Sequence, residues 1–363
     1  MTRVLLKGIT KEFGSLTAVH KLDLEIKDKE FIALLGPSGC GKTTTLNMIA
    51  GLENPTNGEI YFDDKLVNPL ASRDRGVGLV FQSYAVFSHM TVFDNIAFGL
   101  RIRNMSESDI KREVEHMAEL LGLKELLHNK AAKLAISTLQ KVALGRTLVT
   151  RPKVLLLDEP LSNLDTSLRA IARAELKRFQ KEIEQTTIFV THDQLEAMTL
   201  AGRIAIMNFG KLQQYDPPEV VYENPGNLFV ANFVGTPSMN FFDCSFQLKG
   251  DKAFLVHEQF QLDATQYRSA IEKGAKGSEL LLGVRPEYIS VTREKPKDDS
   301  AVKANLILSE LVGYEYILHV EIGKKMFRIV LPKTEVSQGQ DCWLEFQKDK
   351  IHVFEKKSGE VLV

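Results

Sequence analysis

The chain is 363 residues long, 44% hydrophobic and 26% charged, with a formal net charge of -1; that is room for two or three cores and the balance of an ordinary globular protein. No basic excess marks a polyanion binder, no run of about 18 apolar residues marks a membrane-spanning helix, and the N-terminal "MTRVLLKGIT" lacks the apolar core of a signal peptide. Cys40, Cys244 and Cys342 lie far apart with no CxxC spacing, which predicts a reducing, cytosolic setting without metal or disulfide work.

In chain order, "FIALLG" (31–36) is an apolar, β-rich run that leads into "GPSGCGKTT" and then the helical pattern "KTTTLNMIAGL". Strand, glycine-rich turn, Lys-Thr and helix in that order predict a phosphate-binding loop. Gly36, Pro37, Ser38, Gly39, Cys40 and Gly41 are expected to turn backbone N–H groups inward around the phosphates of a ligand. Lys42 then reaches the β- and γ-phosphates, and Thr43, beside Thr44, offers its hydroxyl to Mg²⁺. A second strand candidate, "GVGLVF" (76–81), precedes the amphipathic "DIKREVEHMAELLGL". In "VLLLDEP" (154–160) the apolar run buries a strand whose end carries Asp158, a second Mg²⁺ ligand, and Glu159, placed to polarise an attacking water. "TTIFVTH" (186–192) ends in His192, a candidate contact to the γ-phosphate, and "RIAIMNFG" (203–210) follows. Apolar strands alternating with amphipathic helices predict an α/β domain with a largely parallel sheet covered on both faces.

The character changes in "DPPEVVYENPGNLFVANFVGTPSMNFF" (216–242), rich in proline, glycine and asparagine. The boundary is expected around Gly235 to Ser238, dividing the chain into 1–235 and 236–363. Beyond it, "FLVHEQFQL", "ELLLGV", "VKANLILSELV", "YILHVEIG", "KMFRIVL", "CWLEFQ" and "KIHVFE" read as short strands of a small β-barrel or sandwich, or of two partial ones.

Four segments carry a resemblance: "GPSGCGKTTTLNMIAGLENPTNGEI", "LVFQSYAVFSHMTVFDNIAFGL", "LLLDEPLSNLDTSLR" and "VTHDQLEAMTLAGRIAIM" resemble the ATP-binding subunits of ABC transporters, and more narrowly the ATPases of maltose-type carbohydrate importers. "NPGNLFVANFVGTPSMNF" and "LLGVRPEYI" resemble that subfamily's linker and regulatory domain, so the similarity spans essentially the whole chain. The resemblance implies an ABC-type P-loop ATPase domain with a helical subdomain at about 84–150, followed by an all-β OB-like regulatory domain. It implies that Phe13 stacks on adenine, and that Gln82 links Mg²⁺ and the attacking water to the membrane subunits. It further implies that 83–100 receives a coupling helix, and that Asn163, Leu164 and Asp165 touch the opposite subunit of a dimer. Family members usually have proline where Ser88 stands. The implied partners are two membrane-spanning permease subunits, a second ATPase subunit and, indirectly, an extracytoplasmic solute-binding protein. The implied place is the cytoplasmic face of the membrane, held peripherally.

The stretch "KLAISTLQKVALGRTLV" keeps the flanks of the family's signature and loses its centre. Where the family has leucine, serine, glycine, glycine and glutamine, this chain has Leu134, Ala135, Ile136, Ser137 and Thr138. In the family the motif caps a helix and presses on the γ-phosphate held by the other subunit. Ala135 has no hydroxyl to donate, and Ile136 sets a β-branched side chain where backbone must approach phosphate. Three readings stand at this point. In the favoured one a paralogous ATPase with an intact signature completes this chain's ATP site. In the others a homodimer turns over slowly, or the segment has been altered artificially. A different class, a soluble ATP-dependent switch without transport, lacks the tandem ATPase domains or coiled-coil insertion expected of it. The C-terminal part shows no basic and aromatic stripe for nucleic acid.

Overall fold

A computed structural model describes residues 2–296 and 301–363. By contacts the chain divides into two compact units that meet in sequence at Pro218 and Glu219. The first contains β1 (Val4–Phe13), β2 (Leu16–Ile26), β3 (Phe31–Leu35), α1 (Lys42–Ala50), β4 (Asn57–Phe62), β5 (Lys65–Leu66), β6 (Val77–Val80), α2 (Val92–Ile102), α3 (Glu107–Leu121), α4 (Ile136–Leu148), β7 (Val154–Asp158), α5 (Thr166–Ile183), β8 (Thr186–Thr191), α6 (Gln194–Leu200), β9 (Arg203–Asn208) and β10 (Lys211–Asp216). A six-stranded sheet has the order β10-β9-β3-β8-β7-β6, parallel except for the antiparallel edge strand β10. Strands β3 and β8 are buried along their whole length and β7 along all but its last residue, which is why they read as unbroken apolar runs.

A second, antiparallel sheet, β2-β1-β4-β5, was not foreseen as such. Its strands alternate buried and exposed residues and carry bulges, so they present no apolar run to the eye. Val4, Leu6 and Ile9 from β1 share one core with Ile32 and Leu34 from β3, Leu46 and Met48 from α1, and Leu156 and Ile188. The helices α2, α3 and α4 form a separate segment. Thr91 caps α2 through Asp94 N at 3.0 Å, and Ser106 caps α3 through Asp109 N at 3.2 Å. The fully buried Asn95 holds the preceding loop, donating to Phe87 O and Thr91 O and accepting from Phe87 N, all within 2.9–3.0 Å. The Ser88 carbonyl accepts from Ala132 N at 3.0 Å, so this turn is tied down without a proline.

From Pro218 onward come α7 (Pro218–Glu223), α8 (Leu228–Phe233), β11 (Asn240–Lys249), β12 (Lys252–Val256), β13 (Gln261–Asp263), α9 (Arg268–Gly274), β14 (Glu279–Val284), β15 (Ile289–Thr292), β16 (Val302–Val312), β17 (Glu315–Ile322), β18 (Lys325–Leu331), β19 (Asp341–Phe346) and β20 (Ile351–Glu355). Two five-stranded antiparallel sheets, β13-β12-β11-β14-β20 and β15-β19-β16-β17-β18, enclose one core. Phe242 sits in it, stacked on Phe327 with ring centroids 4.3 Å apart. "FLVHEQFQL", read as one strand, is two, because His257 N bonds Phe260 O and turns the chain between β12 and β13. The segment 219–234 packs with this second unit. Arg285, wholly buried, donates to Tyr222 O at 2.8 Å and to Ala231 O and Val234 O, and lies over the Tyr222 ring.

Candidate functional site

Because β3, β6, β7 and β8 run parallel, their C-terminal ends open on one edge of the sheet, where ligands of such sheets sit. That edge gathers the loop 36–41, Gln82, Asp158 with Glu159, and His192.

The loop needs its glycines. A Cβ on Gly36 would stand 2.2 Å from Met207 O, and Gly41 has φ 98° with Ala18 O only 2.5 Å from where a Cβ would be. Lys42 is 5% exposed, and its Nζ donates to Gly36 O and Pro37 O at 2.8 Å each. The loop is thus wrapped around the ammonium group. Helix α1 begins here with no side-chain cap on Gly41, leaving its first N–H groups for an anion. Burial pushes the Cys40 thiol up in spite of Lys42 beside it, so it stays neutral and packs as a small apolar group.

Thr43 Oγ1 donates to Asp158 Oδ1 at 3.2 Å. Burial pushes the Asp158 carboxyl above its ordinary range and the neighbouring Glu159 adds to this, while Thr43 and Lys42 oppose it. A hydroxyl and a half-buried carboxylate in contact are hard oxygen donors whose charge is poorly compensated by protein alone, and they fit Mg²⁺.

Glu159 has φ 43°, left-handed backbone that is costly for a residue with a Cβ, held by its N–H to Val190 O at 3.0 Å. Its Oε2 lies 3.2 Å from His192 Nδ1 and 3.4 Å from Gln82 Nε2. Gln82 Nε2 also reaches Ser162 Oγ at 3.2 Å, and that hydroxyl donates to Glu159 O at 2.9 Å. Gln82 therefore sits with Glu159, not with Thr43 and Asp158. In the loop after it, Asn163 donates to Gln82 O at 2.7 Å, Leu164 is buried, and Asp165 caps α5 by accepting from Leu168 N at 2.9 Å. That bond and Ser167 hold the Asp165 carboxyl below its ordinary range.

Phe13 ends β1 opposite Leu16, 47% exposed, with Lys11 Nζ 4.8 Å from its ring centroid. Ala18 of the same hairpin is the residue that crowds Gly41, so the open ring stands on the hairpin bordering the loop. Away from this cluster, Leu134 and Ala135 are extended and Ile136 opens α4; Ala135 occupies the cap position and makes no side-chain bond, and Ile136 is 51% exposed. Ser162 carries a bond to Glu159 that sequence reasoning did not single out, and it equally missed Arg169, Thr191 and Glu196, which are linked to one another in the segments that follow. A serine, an arginine and a glutamate among many give no signal before the fold brings them together.

Residues 19–162 match the ABC transporter family, 235–289 the MalK OB fold domain and 282–354 the TOBE domain. Over their full lengths, the chain is 45% identical to the trehalose/maltose import ATP-binding protein MalK of Thermococcus litoralis. It is 43% identical to the oligosaccharides import ATP-binding protein MsmX of Bacillus subtilis, with 94% of each chain covered. The chain belongs to the ABC transporter ATP-binding proteins. It is an ATPase of this family, using ATP with Mg²⁺, with OB and TOBE domains after the cassette. Among solved structures the cassette is similar to an ATP-binding cassette captured as a post-hydrolysis dimer with ADP and Pi (TM-score 0.53, 30% identity, 59% of this chain and 98% of that one). It is also similar to cbiO1 of Clostridium perfringens, part of the ABC transporter complex cbiONQ (TM-score 0.57, 27% identity, 60% and 89%). Among the described residues of this ABC ATPase no helix is long and apolar enough to cross a membrane.

Proposed function

We propose that the chain is the ATP-hydrolysing subunit of an importer for a carbohydrate or related small solute, paired with a paralogous ATPase whose signature is intact. The cassette is taken as 1–235, its helical subdomain as about 84–150 and the regulatory domain as 236–363. It works at the cytoplasmic face of a membrane, with two permease subunits and, through them, an extracytoplasmic solute-binding protein.

The observation that carries the reading is the contact of Glu159 with both His192 and Gln82 beside the Lys42 loop. Lys42 trades its two carbonyl bonds for phosphate oxygens and neutralises charge on the transferred group, while the N–H groups of 39–44 hold the phosphates. Thr43 and Asp158 would hold Mg²⁺, with Gln82 to the outer side beside Glu159, and the ion would supply neutralisation of phosphate charge. Glu159 orients the attacking water and accepts its proton, and His192 holds the γ-phosphate on the far side. Phe13 stacks on the base. Gln82, bonded through Asn163 to the dimer loop 163–165, relays closure to the permease-facing segment 83–100.

Pairing with a paralogue follows from the contrast between this complete set and the segment 134–138. Without the signature hydroxyl and with Ile136 exposed at the start of α4, two copies of this chain would lose at least two charge-assisted hydrogen bonds at each site, roughly 1.5–3 kcal/mol apiece. Native mass spectrometry of the detergent-solubilised complex, isolated through a tag on this chain, tests the pairing. Two ATPase species of different mass are expected; two copies of this chain overturn the pairing and leave a slow homodimer. A chain isolated with no membrane subunit at all favours the soluble switch.

A further inference from the structure

The side chains of Glu159 and His192 meet, but they come from different strands, and something must fix their separation. Arg169, on the first turns of α5, lies between the two segments that carry them. Its Nη2 donates to Leu164 O at 3.0 Å and to Ser162 O at 3.5 Å, and Ser162 is itself bonded to Glu159 O. Its Nη1 reaches Asp193 Oδ2 at 3.5 Å, and its Nε faces Glu196 Oε1 at 3.8 Å. Glu196 is 3% exposed and accepts from Thr191 Oγ1 at 2.7 Å, and Asp193 N donates to that same hydroxyl at 3.0 Å. His192 is therefore flanked on both sides by residues of one hydrogen-bonded knot, and Arg169 ties this knot to the segment after Glu159. Burial pushes the Glu196 carboxyl up, the Thr191 hydroxyl bond and the Arg169 guanidinium oppose this, and the Asp193 carboxylate adds to it.

One feature argues that this is more than packing. Among the described residues Arg169 Nε is buried and has no hydrogen-bond partner, although a buried carboxylate stands just out of bonding range. An unpaired buried donor is costly, and a shift of a few tenths of an ångström between Arg169 and Glu196 would satisfy it.

We infer that Arg169 is a positioning residue for hydrolysis: with Glu196 it forms a clasp that couples the dimer-loop segment 162–165 to the His192 segment and so sets the Glu159–His192 separation. The clasp rests on the roles proposed for Glu159 and His192. Because 163–165, within the segment 162–165, is also assigned to the subunit contact, the clasp is a route by which closure of a dimer tightens the histidine onto its target.

The test is a double-mutant cycle on the complex isolated through this chain, reading kcat, the KM for ATP and nucleotide affinity. Arg169→Met is expected to lower kcat about 10- to 100-fold while KM and nucleotide affinity stay within about threefold, because the phosphate loop is untouched. Glu196→Gln, which keeps the Thr191 bond and drops the charge, is expected to act in the same direction, and Arg169→Lys to recover part of the loss. In a His192→Ala background Arg169→Met should cost little more. An unchanged kcat, or a full additional loss in that background, overturns the clasp, and if Arg169→Met does not fold, Glu196→Gln carries the same cycle. If His192→Ala and Glu159→Gln themselves leave hydrolysis intact, it is the site assignment that fails instead.

Discussion

Asp158 shows at the scale of one residue how function and stability pull apart. Its carboxyl is pushed up by burial, then by Glu159, so the folded chain holds this proton more tightly than the unfolded chain does. Stability from this group is complete below the ordinary carboxylate range, falls as pH rises through the raised value, and is missing at neutral pH. Asp158→Asn is therefore expected to raise the melting temperature of the nucleotide-free protein at pH 7 and to flatten its dependence between pH 4 and 7, while cutting Mg²⁺-dependent hydrolysis by about 10²-fold or more. Thermal melts across that range, alongside an ATPase assay, check both halves; an unchanged melting temperature would contradict the buried-charge account. Lys42, Thr43, Asp158 and Glu159 were all legible in the sequence because strand, loop and helix fix their places. The pairing of Gln82 with Glu159 through Ser162 was not, since 77 residues separate Gln82 from Glu159 and only the sheet order brings them together.

At the scale of elements, the helix starts differ in a way that can be measured. Helices α2, α3 and α5 open on Thr91, Ser106 and Asp165, each accepting a backbone N–H, whereas α4 opens on Ala135 with none. Ala135→Ser is expected to stabilise the protein by about 1 kcal/mol, and Ser106→Ala to destabilise it by about the same, read as opposite shifts in denaturant midpoint. Element order was legible for β3, β7 and β8, whose burial on both faces leaves uninterrupted apolar runs. β1 was legible at its start, where "MTRVLLKGIT" alternates like a strand; β2 and β4, where one face is wet and bulges break the alternation, were not, nor was β11, whose outer "FQLK" residues are half-buried or exposed. The segment 219–234 showed only the proline, glycine and asparagine punctuation of a changing character; it packs through partners distant in sequence, Arg285 on the carbonyls of Tyr222, Ala231 and Val234 and Glu223 with Tyr288 and Lys350, which leave no trace in the sequence.

For the whole molecule the question is which composite site turns over. If a paralogue supplies the working signature, restoring Ala135→Ser, Ile136→Gly, Ser137→Gly and Thr138→Gln together would waken only the second site and raise steady-state ATPase by about twofold. In a homodimer the same change would raise it by about 10² or more, since both sites would regain their bonds to the γ-phosphate. The central claim is that this chain's own Lys42, Glu159 and His192 perform the hydrolysis, and single-turnover hydrolysis by the isolated complex carrying Glu159→Gln in this chain alone tests it most directly. The account predicts that ATP stays bound while its hydrolysis falls by about 10²–10⁴-fold; hydrolysis at the unmodified rate would place the working site elsewhere and contradict it.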